Sequence, residues 1–345
     1  MYDIIFLEGD IMKKKLIIPI AIVLLLAITF TVFSVINSKV SVAFTPSKIS
    51  GVNYNNYTNE NSIDYKDNKF AYIESNLFGS KLLIKDDAGK ITSLKGVTAP
   101  FQLTEDGVAF IKNQDLYLQK LDEQKPTLIE KQVAKFYVYN NDIIYSTIFQ
   151  WNTNKKQPSK LLVYNVGTKK IKTLHKDISD FCLGNDKVYV DYTDYENDIE
   201  NFIEISLKDF KVKKIAQIEI QSYPFGFQAN NKKIVLHHIT NTFTFIDPET
   251  KEIKNVRAHK SEHANDLIIF VLDNENLYFS YQATNTNGSL VSDENDETNG
   301  TYKIDLKTYE KQKITDEVFD ELYLFENNQL FGIKDKQIIN INIKP

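Results

Sequence analysis

The segment "HKSEH" sets His259 and His263 four residues apart, with Glu262 beside the second. That spacing puts two imidazoles on one face of a helix, where they could share a metal ion. The order required of an H-E-x-x-H metalloprotease helix is absent, and the surrounding residues read as a link between strands. His259 and His263 are therefore polar loop residues first and weak metal candidates second. His237 and His238 are neighbours on an expected strand, so their side chains leave opposite faces.

Two acidic runs could hold a cation. "SDENDETNG" carries Asp293, Glu294, Asp296 and Glu297, and a second run carries Asp191, Asp194, Glu196 and Asp198. Clustered carboxylates can bind Ca²⁺ through oxygen ligands, but neither run has the spacing of an EF-hand loop. Solvated acidic tips are the simpler reading; no cofactor is required, and Ca²⁺ is the one left open. Trp151, the single tryptophan, lies near Lys155, Lys156 and Lys160. An exposed indole there could stack on a sugar or anchor a protein partner; the competing reading packs it on its own loop. Tyr192 and Tyr195 add aromatic surface of the same kind.

The usual catalytic signatures are missing. The chain has no G-x-S-x-G elbow, no phosphate-cradling glycine loop and no C-x-x-C. Its single cysteine, Cys182, sits in the apolar run "DFCLGN", excludes an intrachain disulfide and reads as a small buried hydrophobe. Of the 41 basic residues only Arg257 is an arginine. An AT-rich coding sequence accounts for the bias, and it leaves one guanidinium to clamp a carboxylate or phosphate bidentately. Acids exceed bases by 46 to 41, with no basic block in the body of the chain, which excludes a duplex nucleic-acid binder.

A recurring phrase indicates what must position these residues. It reads "KDNKFAYI" at Phe70, "TEDGVAFI" at Val108, "NNDIIYST" at Ile143 and "GNDKVYVD" at Val188. It returns as "NNKKIVLH" at Ile234, "NENLYFSY" at Leu277 and "NNQLFGIK" at Leu330. Most of the spacings lie near the 40–50 residues of a four-stranded propeller blade. Each unit has the same grammar. An apolar strand (A) precedes an Asn- or Asp-bearing turn and a second strand (B) follows it. A third strand (C) often ends in a polar turn, as in "FTFIDPETKE", and a short fourth (D) closes the unit, as in "EIKNV". With 22 Phe and 19 Tyr the composition favours strands. The expectation is an all-β, most simply seven-bladed, β-propeller over residues 61–345; a solenoid or β-sandwich explains seven recurrences less readily.

Strand order then assigns the loops. In such a meander the A–B and C–D turns share one face, and the B–C loops and D–A links share the other. The A–B turns are short. The long insertions, 150–159, 192–200 and 282–300, all fall at B–C positions, so three units enlarge the same face, the place where a rigid scaffold commonly carries binding.

Ahead of the repeats, residues 16–36 form a run of 21 without a charge, preceded by Lys13, Lys14 and Lys15. A helix of that length spans about 30 Å, the hydrocarbon thickness of a bilayer. The lysines are expected to stay cytoplasmic, leaving the repeats outside the membrane. The run exceeds a typical signal-peptide core, which favours an anchor over cleavage after "SVA" at 41–43. Residues 1–15 are then cytoplasmic. Glu8-Gly9-Asp10 reads as a translated ribosome-binding site, so Met12 is expected as the true start, a point N-terminal sequencing would check. Residues 37–60 form a linker.

The pattern resembles the TolB-type family of β-propellers, with "TEDGVAF" at 104–110 echoing that family's "SPDG" turn and Asn-rich turns replacing it in the other units. The resemblance implies an extracytoplasmic propeller that binds proteins or glycans; it carries over no catalytic residue. The expected function is a cell-surface, membrane-anchored, non-catalytic binding module. The alternatives are a propeller hydrolase or lyase acting on extracellular polysaccharide, and the sensing ectodomain of a signalling assembly.

The last unit has only three strands in its own sequence, so residues 52–54 are expected to supply the fourth and close the ring. Deleting residues 51–56 should then lower the melting temperature markedly; an unchanged melt would reject this closure.

Overall fold

The computed structural model describes residues 63–76, 79–148, 150–152, 155–184, 186–194, 196–219, 224–238, 240–258, 267–283, 297–324, 330–334 and 337–341. The expected anchor segment at 16–36 and the expected closing strand at 52–54 lie outside them. Among the described residues no helix is long and apolar enough to cross a membrane.

Among the described residues every long element is a strand, and all but one short two-stranded ribbon belong to seven antiparallel meanders in chain order. Blade 1 runs through Ile63–Lys66, Lys69–Asn76, Gly79–Asp86 and Ile91–Lys95; blade 2 through Phe101–Leu103, Gly107–Lys112, Asp115–Lys120 and Thr127–Glu130. Blade 3 comprises Val133–Tyr139, Asp142–Thr147, Lys160–Asn165 and Lys170–Lys176; blade 4, Asp180–Leu183, Lys187–Asp194, Ile199–Ser206 and Val212–Glu219. Blade 5 comprises Pro224–Ala229, Ile234–His238, Thr242–Ile246 and Ile253–Arg257; blade 6, Leu267–Leu272, Asn276–Gln282, Gly300–Asp305 and Lys311–Thr315. Blade 7 shows three strands among the described residues, Glu321–Leu324, Leu330–Lys334 and Gln337–Ile341. The seven units inferred from the recurring phrase are thus seven sheets, in the A-B-C-D order expected.

The turns follow from residue type. Asp67 and Asn68 both adopt positive φ in the A–B hairpin of blade 1, and Asn140 does so in blade 3; short polar side chains tolerate this region best. The C–D turns of blades 3 to 6 repeat one geometry. Asn165, Ser206, Asp247 and Asp305 each accept, at the backbone carbonyl, the N–H of the residue four positions on, at 2.8–2.9 Å. Those donors, Lys169, Phe210, Lys251 and Tyr309, all sit at φ of 55–64°. The Asp247 and Asp305 carboxylates fix the bend by accepting two further backbone N–H groups each.

Burial runs between sheets. Blades 3 and 4 share Tyr137, Ile144, Val163, Phe181, Val190 and Ile203. Blades 5 and 6 share an aromatic layer in which Phe243 meets Phe270 and Phe279 at ring-centroid distances of 5.4 and 5.3 Å. Comparable layers join blades 1–2, 2–3, 4–5 and 6–7. The A strands of successive blades lie against one another and the D strands are largely exposed, so A is central and D peripheral.

A central strand is also a sheet edge, with backbone groups that no neighbour within its own sheet satisfies. Side chains of the adjacent blade supply several of the missing partners. Asp64 Oδ2 accepts the Leu103 N–H at 2.5 Å, Gln102 Oε1 accepts the Val138 N–H at 2.6 Å, and Gln228 Nε2 donates to the Phe270 carbonyl at 2.7 Å. Replacing Gln102 by Leu leaves the Val138 N–H buried without that acceptor. It should cost about 1–3 kcal/mol in denaturant unfolding; an unchanged midpoint would show the bond to be dispensable.

Candidate functional site

Two of the three expected insertions stand at B–C connections, those of blades 3 and 6. The insertion of blade 3 leaves strand B at Thr147 and returns at Lys160, and it folds into a ribbon of Gln150–Asn152 against Lys155–Gln157. Trp151 pairs with Lys156 in this ribbon, and Asn152 with Lys155. The candidate residues thus stand on a paired projection rather than on irregular chain. The blade 6 insertion leaves strand B at Gln282 and returns at Gly300. Of its acids, Glu297 is exposed at the return, and Asp293, Glu294 and Asp296 lie outside the described residues. So do Tyr195, His259 and His263, the last two lying in sequence between the strands that end at Arg257 and begin at Leu267.

The third insertion needs correction. Strands B and C of blade 4 remain paired out to Asp194 and Ile199, leaving a tip of 195–198 where a loop of 192–200 was expected. Tyr192 is consequently a strand residue. It is half-buried against the apolar layer between blades 3 and 4, with its ring 5.5 Å from that of His175. Asp194 caps the tip by accepting from the Glu196 N–H and the Asn197 amide, which hold its carboxyl below the usual range. Asp191, grouped with this acidic tip by sequence, is 2% exposed inside the sheet.

Asp191 belongs to a polar seam that sequence reading missed. Burial pushes its carboxyl well above the usual carboxylate range, and the adjacent Glu200 carboxyl, in hydrogen-bond contact, pushes it further. Glu200, also 2% exposed, is raised by burial. Two buried carboxyls in contact cannot both ionise cheaply, so the pair shares a proton. Asp191 Oδ1 has no hydrogen-bond partner among the described residues. Toward the axis, Lys135 of blade 3 bonds Asp180 of blade 4 at 2.6 Å, its ammonium 5.5 Å from the Phe181 ring centroid; burial lowers its pKa against the pull of Asp180. The Cys182 thiol, buried beside this group, is pushed far up by desolvation and is unreactive.

Outward, Glu200 opens on a cleft of about 530 Å³ between blades 4 and 5. Gln217, Glu219, His238, Thr244 and Asn255 also line it. Gln217 donates to Asn201 at 2.6 Å; Thr244 Oγ1 bonds His238 Nε2 and donates to Asn255, both at 2.8 Å. His237 points the other way, its ring 5.2 Å from Phe243 and 6.1 Å from Phe270. Its Nε2 has no hydrogen-bond partner among the described residues, and burial, with the neighbouring His238, lowers its pKa to about 4. No group of three metal-ligating side chains occurs among the described residues.

The comparisons with known proteins speak to the fold. No family model matches the sequence and no curated protein is similar to it. The chain is similar to the β-propeller domain of the trilobed protease from Pyrococcus furiosus, whose structure reveals an open velcro topology. The identity is 11% and the TM-score 0.52, over 86% of this chain and 96% of that one. It is similar also to Pyrococcus horikoshii acylaminoacyl peptidase, at 11% identity and TM-score 0.51 over 87% of this chain; it spans about half, 53%, of that longer protein. The class these likenesses and the seven sheets define is the seven-bladed β-propeller.

The two buried titrations run in opposite directions. His237 stays neutral in the fold while its unfolded counterpart takes a proton below its ordinary pKa of 6.5. Its contribution is therefore complete above pH 6.5 and is lost as pH falls toward 4, amounting to about 3 kcal/mol. The Asp191–Glu200 pair keeps a proton that the unfolded chain releases, so its penalty appears as pH rises above 3.8–4.5, the ordinary values of the two acids. In thermal unfolding, His237→Leu should gain on the wild type as pH falls from 7 to 4, and Glu200→Gln as pH rises over the same interval. Differences independent of pH would refute both assignments.

Proposed function

We propose that this chain is a membrane-anchored, extracytoplasmic propeller of the TolB type that binds a protein or a glycan and performs no reaction itself. One observation carries the reading. The connections are lengthened on a single face, at the B–C positions of blades 3 and 6, while the turns described on the opposite face are short and internally bonded. A rigid ring with one elaborated face is a scaffold for recognition. Trp151, Lys155 and Lys156 belong to the blade 3 insertion and the acidic 293–297 run to that of blade 6, so the two B–C connections bring aromatic, cationic and anionic residue types to recognition. The apolar run at 16–36 behind Lys13, Lys14 and Lys15 supports anchoring with the ring outside the membrane.

A hydrolase or lyase of extracellular polysaccharide is the less supported reading. The one carboxyl pair in the polar seam is buried, and its members touch. Glycoside hydrolases hold their two carboxyls about 5–9.5 Å apart, with the sugar between them.

The test combines Trp151→Ala with replacement of residues 284–296 by a short Gly-Ser turn, in the full chain on intact cells. Cross-linked partner capture should fall by about tenfold or more, a loss of at least one strong contact, with the melting temperature unchanged. Undiminished capture would remove the assignment of this face.

A further inference from the structure

The cleft between blades 4 and 5 has a chemistry distinct from the loop surface. Its floor is Glu200, whose carboxyl is almost wholly buried yet lines the cavity, and whose polar neighbour is another acid, Asp191. Its walls are polar: the Asn255 amide, the Thr244 hydroxyl and, at the rim, the exposed Glu219, while the Gln217 amide turns to Asn201 on the other face of the sheet. His238 is already bonded to Thr244. Ile218 and the exposed Ile253 form an apolar strip beside them.

No lysine or arginine lines the cleft among the described residues. The nearest cations are accounted for elsewhere. Lys135 reaches Asp191 from the axial side and is paired with Asp180. Arg257, two residues past Asn255 on the same strand, is exposed and outside the lining. Lys187 is paired with Glu204, and Lys213 is held to it at 4.0 Å. Asp191 Oδ1, behind Glu200 and outside the cleft lining, has no hydrogen-bond partner among the described residues, and no cation meets the Glu200 carboxyl from the cleft side.

We propose that this cleft binds a primary ammonium carried on an aliphatic stem, as in a lysyl side chain. The ammonium would sit at Glu200 beside the Thr244 and Asn255 oxygens, with its methylenes along Ile218 and Ile253. A lysine fits better than a sugar because the lining has an apolar strip and an anionic floor but no aromatic platform. A compact ammonium with three rotatable donors also suits scattered acceptors better than a planar guanidinium, which prefers a bidentate fork.

The site has a linkage that a structural role would lack. An incoming ammonium supplies the charge that the shared proton had neutralised, so the pair can ionise fully. Binding should release up to one proton, and affinity should rise with pH by up to about tenfold per unit until the pair is deprotonated. The inference is independent of the loop surface, since it uses none of the residues in the blade 3 ribbon or the blade 6 insertion.

Titration calorimetry of the full chain with acetyl-Gly-Lys-Gly-amide, in two buffers of different ionisation enthalpy, tests it. The expected result is saturable binding with proton release, weakened at least about tenfold by Glu200→Gln, which also abolishes the release. Glu219→Gln, at the exposed rim, should weaken binding a few-fold while keeping the release. The melting temperature of each variant, measured alongside, shows that it is folded. Acetyl-Gly-Gln-Gly-amide should not bind. Absence of saturable lysine-peptide binding, equal binding by folded Glu200→Gln, equal binding of the glutamine peptide, or saturation by Ca²⁺ in place of the peptide would each overturn the proposal.

Discussion

No sheet in this molecule can hide both of its faces by itself. A four-stranded meander with apolar residues on each side is insoluble alone, and stacking one sheet against the next removes that surface from water. The Phe243–Phe270–Phe279 layer between blades 5 and 6 is the most aromatic case, and the other inter-blade layers repeat the principle with mixed aromatic and aliphatic residues. The repeat in the sequence, the short turns and the elaboration of one face all follow from this. Strands may not lengthen or tilt without disturbing two interfaces, so variation is pushed into the connections.

The same stacking creates a polar problem at the centre. Converging A strands bring unpaired backbone groups into a crowded, dry zone, and the fold answers by lending side chains from blade to blade. Asp64, Gln102 and Gln228 are chemically different but occupy equivalent inner strands and serve neighbouring backbone. Between blades 3 and 4 the loan becomes an ion pair, Lys135 with Asp180, and that pair is the axial end of the polar seam that runs outward through Asp191 to Glu200. The candidate cleft is an extension of a structural solution, made functional by one carboxyl more than the seam can neutralise.

The architecture was readable because its signals are local. Turn residues at Asn68, Asn140 and Asp273 recur ahead of apolar runs, and the period of the phrase is the period of the blade. The site was less readable because its signals are non-local. Asp191 follows "KVYV" and precedes a run of polar residues, so it looks like the start of a loop; only the register that sets it opposite Phe202 places it inside. Glu200 stands at the other end of that apparent loop for the same reason. An acid at an inward-facing position of a strand pair, visible once the B and C strands are aligned, was the signal that could have revealed both. The Lys135–Asp180 contact joins residues 45 positions apart on different sheets, a proximity that no local pattern encodes. Trp151 was found by type and rarity, while its place on a paired ribbon depends on hydrogen bonds between two three-residue strands.

The chain's single sulfhydryl lies in the seam between blades 4 and 5, sealed by Tyr189, Phe202 and Phe227. Nature has thus installed a one-address chemical probe. Alkylating reagents added to the native protein can reach sulfur only when those two sheets part, so the labelling rate is a clock for breathing at one inter-blade joint, read without engineering and without interference from any second thiol.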